Sequence, residues 1–172
     1  VIRHLTPADY RVQPWANGRG QTVELARSDG PQGLRWRLSV ATVAEDGPFS
    51  LFPGIDRVLT VISGPGFRLR GQGLDLHALP FEPVAFPGDV PVAAAGVAAL
   101  SEDLNVITAR SLGTSVVWRA DGDIPAGGTL ALFAPEGGRA SGRPLAPRDL
   151  ILTEGPLADV AGRVIAVRLP PV

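Results

Sequence analysis

The chain has no cysteine, no methionine and no lysine among its 172 residues. Without cysteine there is no disulfide, no thiolate nucleophile and no sulfur ligand for a metal. Without lysine there is no Schiff-base chemistry. All sixteen cationic side chains are therefore arginine, set against seventeen acidic ones for a formal net charge of −1. They form no basic run of the kind that neutralises a phosphate backbone, so nucleic acid is not an expected partner. Histidine is nearly absent too, with only His4 and His77. A first-row metal site needs three or four converging ligands, so the expectation is no metal and no cofactor. Long apolar runs are also missing. Residues 90–100 (VPVAAAGVAAL) fall well short of the roughly twenty that span a bilayer. No signal-peptide pattern opens the chain, and the expected setting is cytoplasmic, away from membranes.

Glycine (21) and proline (17) are abundant and dispersed. They punctuate short runs rich in Val, Ile, Leu and Thr, the pattern of an all-β fold. Strands are predicted at 22–26, 34–43, 57–62, 67–70, 74–79, 83–86, 90–95 and 104–109, then at 115–119, 129–134, 149–153 and 163–169. The one helical signal is Thr6-Pro7-Ala8-Asp9, a cap followed by proline at the first helical position, sufficient for a single turn. Two stretches share a plan. Leu59 to Arg68 is strand, glycine-rich turn and strand, followed by Pro83 to Asp89. Leu130 to Arg139 repeats it, followed by Leu145 to Asp149. This echo predicts two similar β-barrels, residues 1–110 and 111–172, with strands exchanged between the halves. The strand, Gly-x-Gly and later Pro-Gly-Asp resemble the core of the cupin barrel. The histidines of metal-dependent cupins are missing, so the resemblance implies a metal-free version.

Arginine placement is the strongest local signal. In Arg35-Trp36-Arg37-Leu38-Ser39-Val40 a strand sends Arg35, Arg37 and Ser39 to one face and the apolar residues to the other. Arg57 opens the next strand. A buried guanidinium needs an anion nearby. For Arg37 two readings stand side by side: an internal salt bridge to Glu24 or Asp56, or a fork holding a ligand carboxylate together with Arg57. Arg35 reads as surface or structural. Asn17-Gly18-Arg19-Gly20 is a turn signal, and its backbone N–H groups and the Asn17 amide also suit a small anion nest. Thr22 and Glu24 share one strand face, as do Asp103 and Asn105. Trp15 and Trp36 read as packing residues and His77 as solvent-facing.

The segments Trp15 to Glu24, Trp36 to Ser39, Asp46 to Ser50, Phe52 to Arg57 and Asp103 to Val106 resemble the HutD/Ves family. Arg19 stands where the family has a glycine, and Leu104 where it tends to have phenylalanine. The resemblance implies a bicupin-like fold and a link to histidine utilisation, with a pathway intermediate such as formylglutamate as ligand. Arg37 and Arg57 would then hold carboxylates. Asn17, Thr22, Ser39 and Asn105 would supply neutral hydrogen bonds, and Glu24 would receive an amino or imino group. The expected partners are a small carboxylate metabolite and a second copy of the chain. Two other readings stay open. One is a metal-free isomerase or amide hydrolase with Glu24 as acid–base group; against it, the chain has no nucleophile elbow and no metal triad. The other is a scaffold whose arginines pair internally.

Overall fold

A computed structural model describes residues 1–171 except Ala16, Asn17 and Arg19. The chain opens with β1 (Arg3–Leu5) and one 3-10 turn (Pro7–Asp9), and continues with β2 (Arg11–Pro14), β3 (Gln21–Gly30) and β4 (Gly33–Val43). Then come β5 (Gly47–Pro48), β6 (Ile55–Ser63), β7 (Phe67–Gly71), β8 (Leu74–Ala78), β9 (Val84–Pro87), β10 (Val92–Ala95) and β11 (Ser101–Ala109). A 3-10 turn (Arg110–Leu112) leads to β12 (Val116–Ile124), β13 (Thr129–Ala134), β14 (Gly138–Ala140), β15 (Arg143–Leu145), β16 (Asp149–Thr153) and β17 (Leu157–Leu169). The fold is all-β, as the turn-punctuated sequence predicts. Each of the twelve predicted strands has a counterpart. The short strands β1, β2, β5, β14 and β15 have no counterpart among the predicted ones.

The chain forms two compact units. One is Arg11–Gly113; the other joins Val1–Tyr10 to Thr114–Val172. The first ten residues, which the sequence reading places with the N-terminal barrel, thus belong with the C-terminal half. The reason is strand pairing: β1 lies antiparallel to β16, with His4 opposite Ile151. His4 Nε2 also sits 2.7 Å from Asp149 Oδ2, and the Tyr10 hydroxyl donates to the Arg148 carbonyl at 2.6 Å. The predicted Thr6–Asp9 turn is present, closed by the Thr6 N–H donating to the Asp9 carboxylate at 2.8 Å.

The unit 11–113 contains two sheets, one ordered β2-β3-β4-β11-β6-β9 and one ordered β5-β10-β7-β8. Apolar side chains from both build its interior, among them Leu59 and Val61 of β6, Phe67 and Leu69 of β7, Phe86 of β9 and Val92 of β10. The β6–β7 turn needs its glycines. Gly66 has φ +84°, and a Cβ there would run into the Ala78 carbonyl oxygen, so no other residue fits. In the other unit the sheet runs β1-β16-β13-β17-β14-β15, with β12 also paired to β17. Its core is filled by aliphatic side chains such as Leu130, Leu132, Ile151, Leu157 and Val164.

Candidate functional site

The site begins with strand alternation. On β4, Trp36, Leu38 and Val40 are 6%, 1% and 3% exposed on one face. Arg37, Ser39, Ala41 and Val43 alternate with them, and all four line a cavity of about 500 Å³. Antiparallel pairing carries the same face onto the neighbours. Asn105 and Asp103 of β11 lie opposite Ser39 and Ala41, and Ile107 lies opposite Arg37. On the far side of β11, Ile107 lies opposite Arg57 of β6. On the near side of β4, Thr22 of β3 lies opposite Ala41. Cross-strand partners project the same way, so residues up to 85 positions apart meet in one wall.

Of the seven residues singled out in the sequence, Thr22, Arg37, Ser39, Arg57 and Asn105 line this cavity together. Glu24 does not line it, and Asn17, like Arg19, lies outside the described residues. Trp15 also lines the cavity. Its indole Nε1 donates to Thr22 Oγ1 at 3.0 Å, and its backbone N–H closes the turn onto the Gly20 carbonyl. Trp15 is therefore part of the wall as well as a packing residue. The Gly18 N–H, one donor for the suggested anion nest, is occupied by the Trp15 carbonyl at 3.0 Å.

Arg57 is the centre of the arrangement. It is 7% exposed, and its guanidinium carbon lies 5.4, 5.2 and 5.1 Å from the ring centroids of Phe49, Phe52 and Phe86. The rings shield the cation from water while their π faces attract it. Its hydrogen bonds go to neutral acceptors, Asn105 Oδ1 at 2.8 Å and the Ser50 carbonyl at 3.4 Å. Its buried Nε has no hydrogen-bond partner. Burial pulls the guanidinium down to about 10, with Asp103 opposing the shift and Arg37 adding to it.

Asp103 also lines the cavity. The sequence pairs it with Asn105 by strand face and assigns it no ligand contact, because nothing in the sequence announces that this carboxyl is fully buried. It is 0% exposed. One oxygen accepts from Asn105 Nδ2, and the other, Oδ2, has no partner. Burial pushes the carboxyl up to about 7; Arg57 opposes this and Glu102 adds to it. Asn105 thus bridges cation and carboxyl, accepting from one and donating to the other, which fixes the orientation of its amide.

The internal salt-bridge reading of Arg37 is met only in part. Asp56 pairs instead with Arg110, at 2.9 Å. Glu24 is nearer, with Oε2 4.0 Å from Arg37 Nε and 3.6 Å from Arg27 Nη1, yet neither Glu24 Oε2 nor Arg37 Nε makes a hydrogen bond. A bulge between Glu24 and Ala26 explains the arrangement. It shifts the register so that Arg27 lies directly opposite Arg37, and Glu24 offsets the like-charge repulsion of that pair.

The segment carrying Ser50 and Phe52 is anchored from outside the cavity. Arg110 donates to Asp56 at 2.9 Å, to both oxygens of Asp89 at 3.0 and 2.9 Å, and to the Ile55 carbonyl at 3.2 Å. The Phe52 N–H donates to the Gly88 carbonyl at 2.8 Å. Among the described residues no three His, Asp or Glu side chains converge as a metal site would require, and His77 is exposed on β8. Among the described residues no helix is long and apolar enough to cross a membrane. Chemically the cavity offers two guanidinium groups, the hydroxyls of Ser39 and Thr22, and an amide beside a carboxyl. Guanidinium, hydroxyl and amide groups are the kind that can pair with a carboxylate attached to a further polar group.

The family model described as HutD matches residues 7–156. An uncharacterized 21.2 kDa protein in the hutC 3′ region of Pseudomonas putida is 40% identical over 111 residues, 63% of this chain and 58% of that protein. The match therefore spans less than two thirds of that relative's length. Protein Ves of Citrobacter koseri is 35% identical over 76% of this chain and 68% of its own. Among solved structures, HutD from Pseudomonas fluorescens SBW25, in a formate condition, is 30% identical with a TM-score of 0.88, covering 99% of this chain and 98% of that one. Bacterial pirin from Escherichia coli, at 9% identity, covers the whole of both chains with a TM-score of 0.65 and shares the fold alone.

Proposed function

The chain belongs to the HutD family, and we propose that it binds a small amino-acid-derived carboxylate in the cavity lined by Arg37 and Arg57. One observation carries this reading. Arg57 is a buried cation in a cavity wall whose hydrogen bonds all go to neutral oxygens and whose Nε has none. A guanidinium withdrawn from water without an anion against it is costly, and a carboxylate arriving from the cavity removes that cost. Arg37 supplies a second positive charge, and Ser39, Thr22 and Asn105 supply neutral contacts for the remainder of the ligand. Asn17 belongs to the same proposed set by its place in the sequence. A volume of about 500 Å³ suits a metabolite of glutamate size rather than a peptide.

The Pseudomonas putida relative is described by its place beside hutC, which supports a ligand drawn from histidine breakdown. Formylglutamate fits, with carboxylates for the arginines and an amide for the Asn105 wall. Sensing or limiting histidine utilisation is the role such binding would serve. The test is a thermal-shift and calorimetric panel of formylglutamate, formiminoglutamate, urocanate, histidine, glutamate and formate. A ligand at a hundred times its Kd adds about 2.7 kcal/mol, which for a chain of this size is a rise of roughly 5–10 °C in Tm. A flat response across the panel would sink the reading.

The enzyme reading is favoured by one feature, and it is not Glu24. That carboxylate lies between Arg27 and Arg37 and does not line the cavity. Asp103 does line it and is pushed up to about 7, where a general acid–base group works best. Conversion of any panel member, followed by NMR and lost in Asp103→Asn, would select catalysis over binding alone.

A further inference from the structure

We propose that the cavity takes up its carboxylate together with a proton, which resides on Asp103. This rests on the carboxylate-binding reading above and adds the condition under which the site is competent. Asp103 and Arg57 line the same cavity, but the carboxyl makes no ion pair with the guanidinium. Asn105 stands between them, accepting from Arg57 and donating to Asp103 Oδ1. Asp103 Oδ2 is left buried with no partner. An ionised carboxylate has only acceptors and gains nothing at that oxygen from an incoming anion. A protonated one has an O–H to donate.

The charged groups around Asp103 decide which form it takes. Arg57 on β6 favours the anion, Glu102 on its own strand disfavours it, and its direct cross-strand neighbours are the apolar Ala41 and Val61. One pair further along the sheet, Ser39 lies opposite Asn105 and Glu24 lies opposite Ser39. Arg37, two residues from Ser39 on β4, is shared with Glu24 at 4.0 Å. In the empty cavity the balance leaves Asp103 divided between its two forms near neutral pH. A second carboxylate in the same enclosed space, drawing on the same Arg57, tips it. Two carboxylates competing for one cation at short range do not both ionise. The ligand, held by two arginines, keeps its charge and Asp103, buried and without an ion pair, keeps the proton.

The sign follows directly. Binding requires the protonated form, so affinity is level below about pH 7 and falls towards tenfold per pH unit above it. Calorimetry with formate and with N-formylglutamate, from pH 6 to pH 8.5 in pairs of buffers of different ionisation enthalpy, counts the protons. The expected result is close to one proton taken up per ligand at pH 8 and almost none at pH 6. In Asp103→Asn, which keeps the shape and an acceptor for Asn105, uptake disappears and affinity no longer varies with pH. Binding that is independent of pH and buffer in the wild-type protein overturns the coupling while leaving the carboxylate site intact. Proton uptake that persists in Asp103→Asn assigns the proton elsewhere and also overturns it. No heat with either probe at pH 6 rejects the carboxylate site, and the coupling with it.

Discussion

Arg57 and Asp103 are a buried cation and a buried carboxyl in one cavity wall, joined through the amide of Asn105 and not by a direct ion pair. An ion pair would have satisfied both and closed the site. The inserted amide holds each in place while leaving Arg57 Nε and Asp103 Oδ2 without a partner. Asn105→Ala removes both bonds and leaves two buried polar groups less satisfied. The expected loss of stability is about 2–4 kcal/mol, read from denaturant midpoints, with carboxylate binding lost even where the protein remains folded.

Arginine geometry separates ligand recognition from internal pairing. Arg57→Lys keeps a positive charge but loses the fork and the guanidinium's close approach to three phenyl rings, so affinity is expected to fall at least tenfold. Arg37→Ala should abolish carboxylate binding and leave a folded protein, because Glu24 retains Arg27 at 3.6 Å. A variant that loses several kcal/mol of stability, as breaking a buried pair would, would favour the scaffold reading.

Glu24 tests the bulge. Glu24→Gln leaves Arg27 and Arg37 opposite one another with no acid between them. Stability should fall by roughly 1–2 kcal/mol and recover partly in high salt. Binding should persist, since the side chain does not line the cavity. Loss of product formation without loss of binding would restore Glu24 as a catalytic group.

Asp103 gives the fold a pH dependence of its own. Its carboxyl is raised from 3.8 to about 7 in the native protein. Between those values the unfolded chain has released a proton that the native state still holds. Native stability therefore falls as pH rises from about 4 to 7, by at most roughly 4 kcal/mol, and is level above that. Asp103→Asn should remove this slope and raise Tm at pH 8 relative to the wild type. An unchanged slope would place the titration elsewhere.

Arg110 holds the Phe52–Ile55 segment through Asp56, Asp89 and the Ile55 carbonyl. Arg110→Ala should loosen the aromatic wall behind Arg57 and weaken carboxylate binding several-fold. Because these groups are exposed, added salt should produce a milder form of the same effect in the wild type. Equal affinity in both proteins would show that the wall stands without this anchor.

Much of this was legible in the sequence because it depends on local spacing. Dispersed glycine and proline between short β-branched runs determined an all-β chain. Alternation along Arg35 to Val40 determined that Arg37 and Ser39 share a face, and the segments from Trp15 to Val106 carried the family. Only the tertiary structure decided what that face meets. Phe49 and Phe52 come from the loop after β5 and Phe86 from β9, where it lies opposite Arg57, and the three meet around the guanidinium only in the folded chain. A single bulge turned Arg27 onto the side of Arg37 and drew Glu24 between them. Asp103 looks like any acidic strand residue until β4 and β6 close over it on either side. Burial and protonation are properties of three-dimensional surroundings, and no spacing within the chain encodes them.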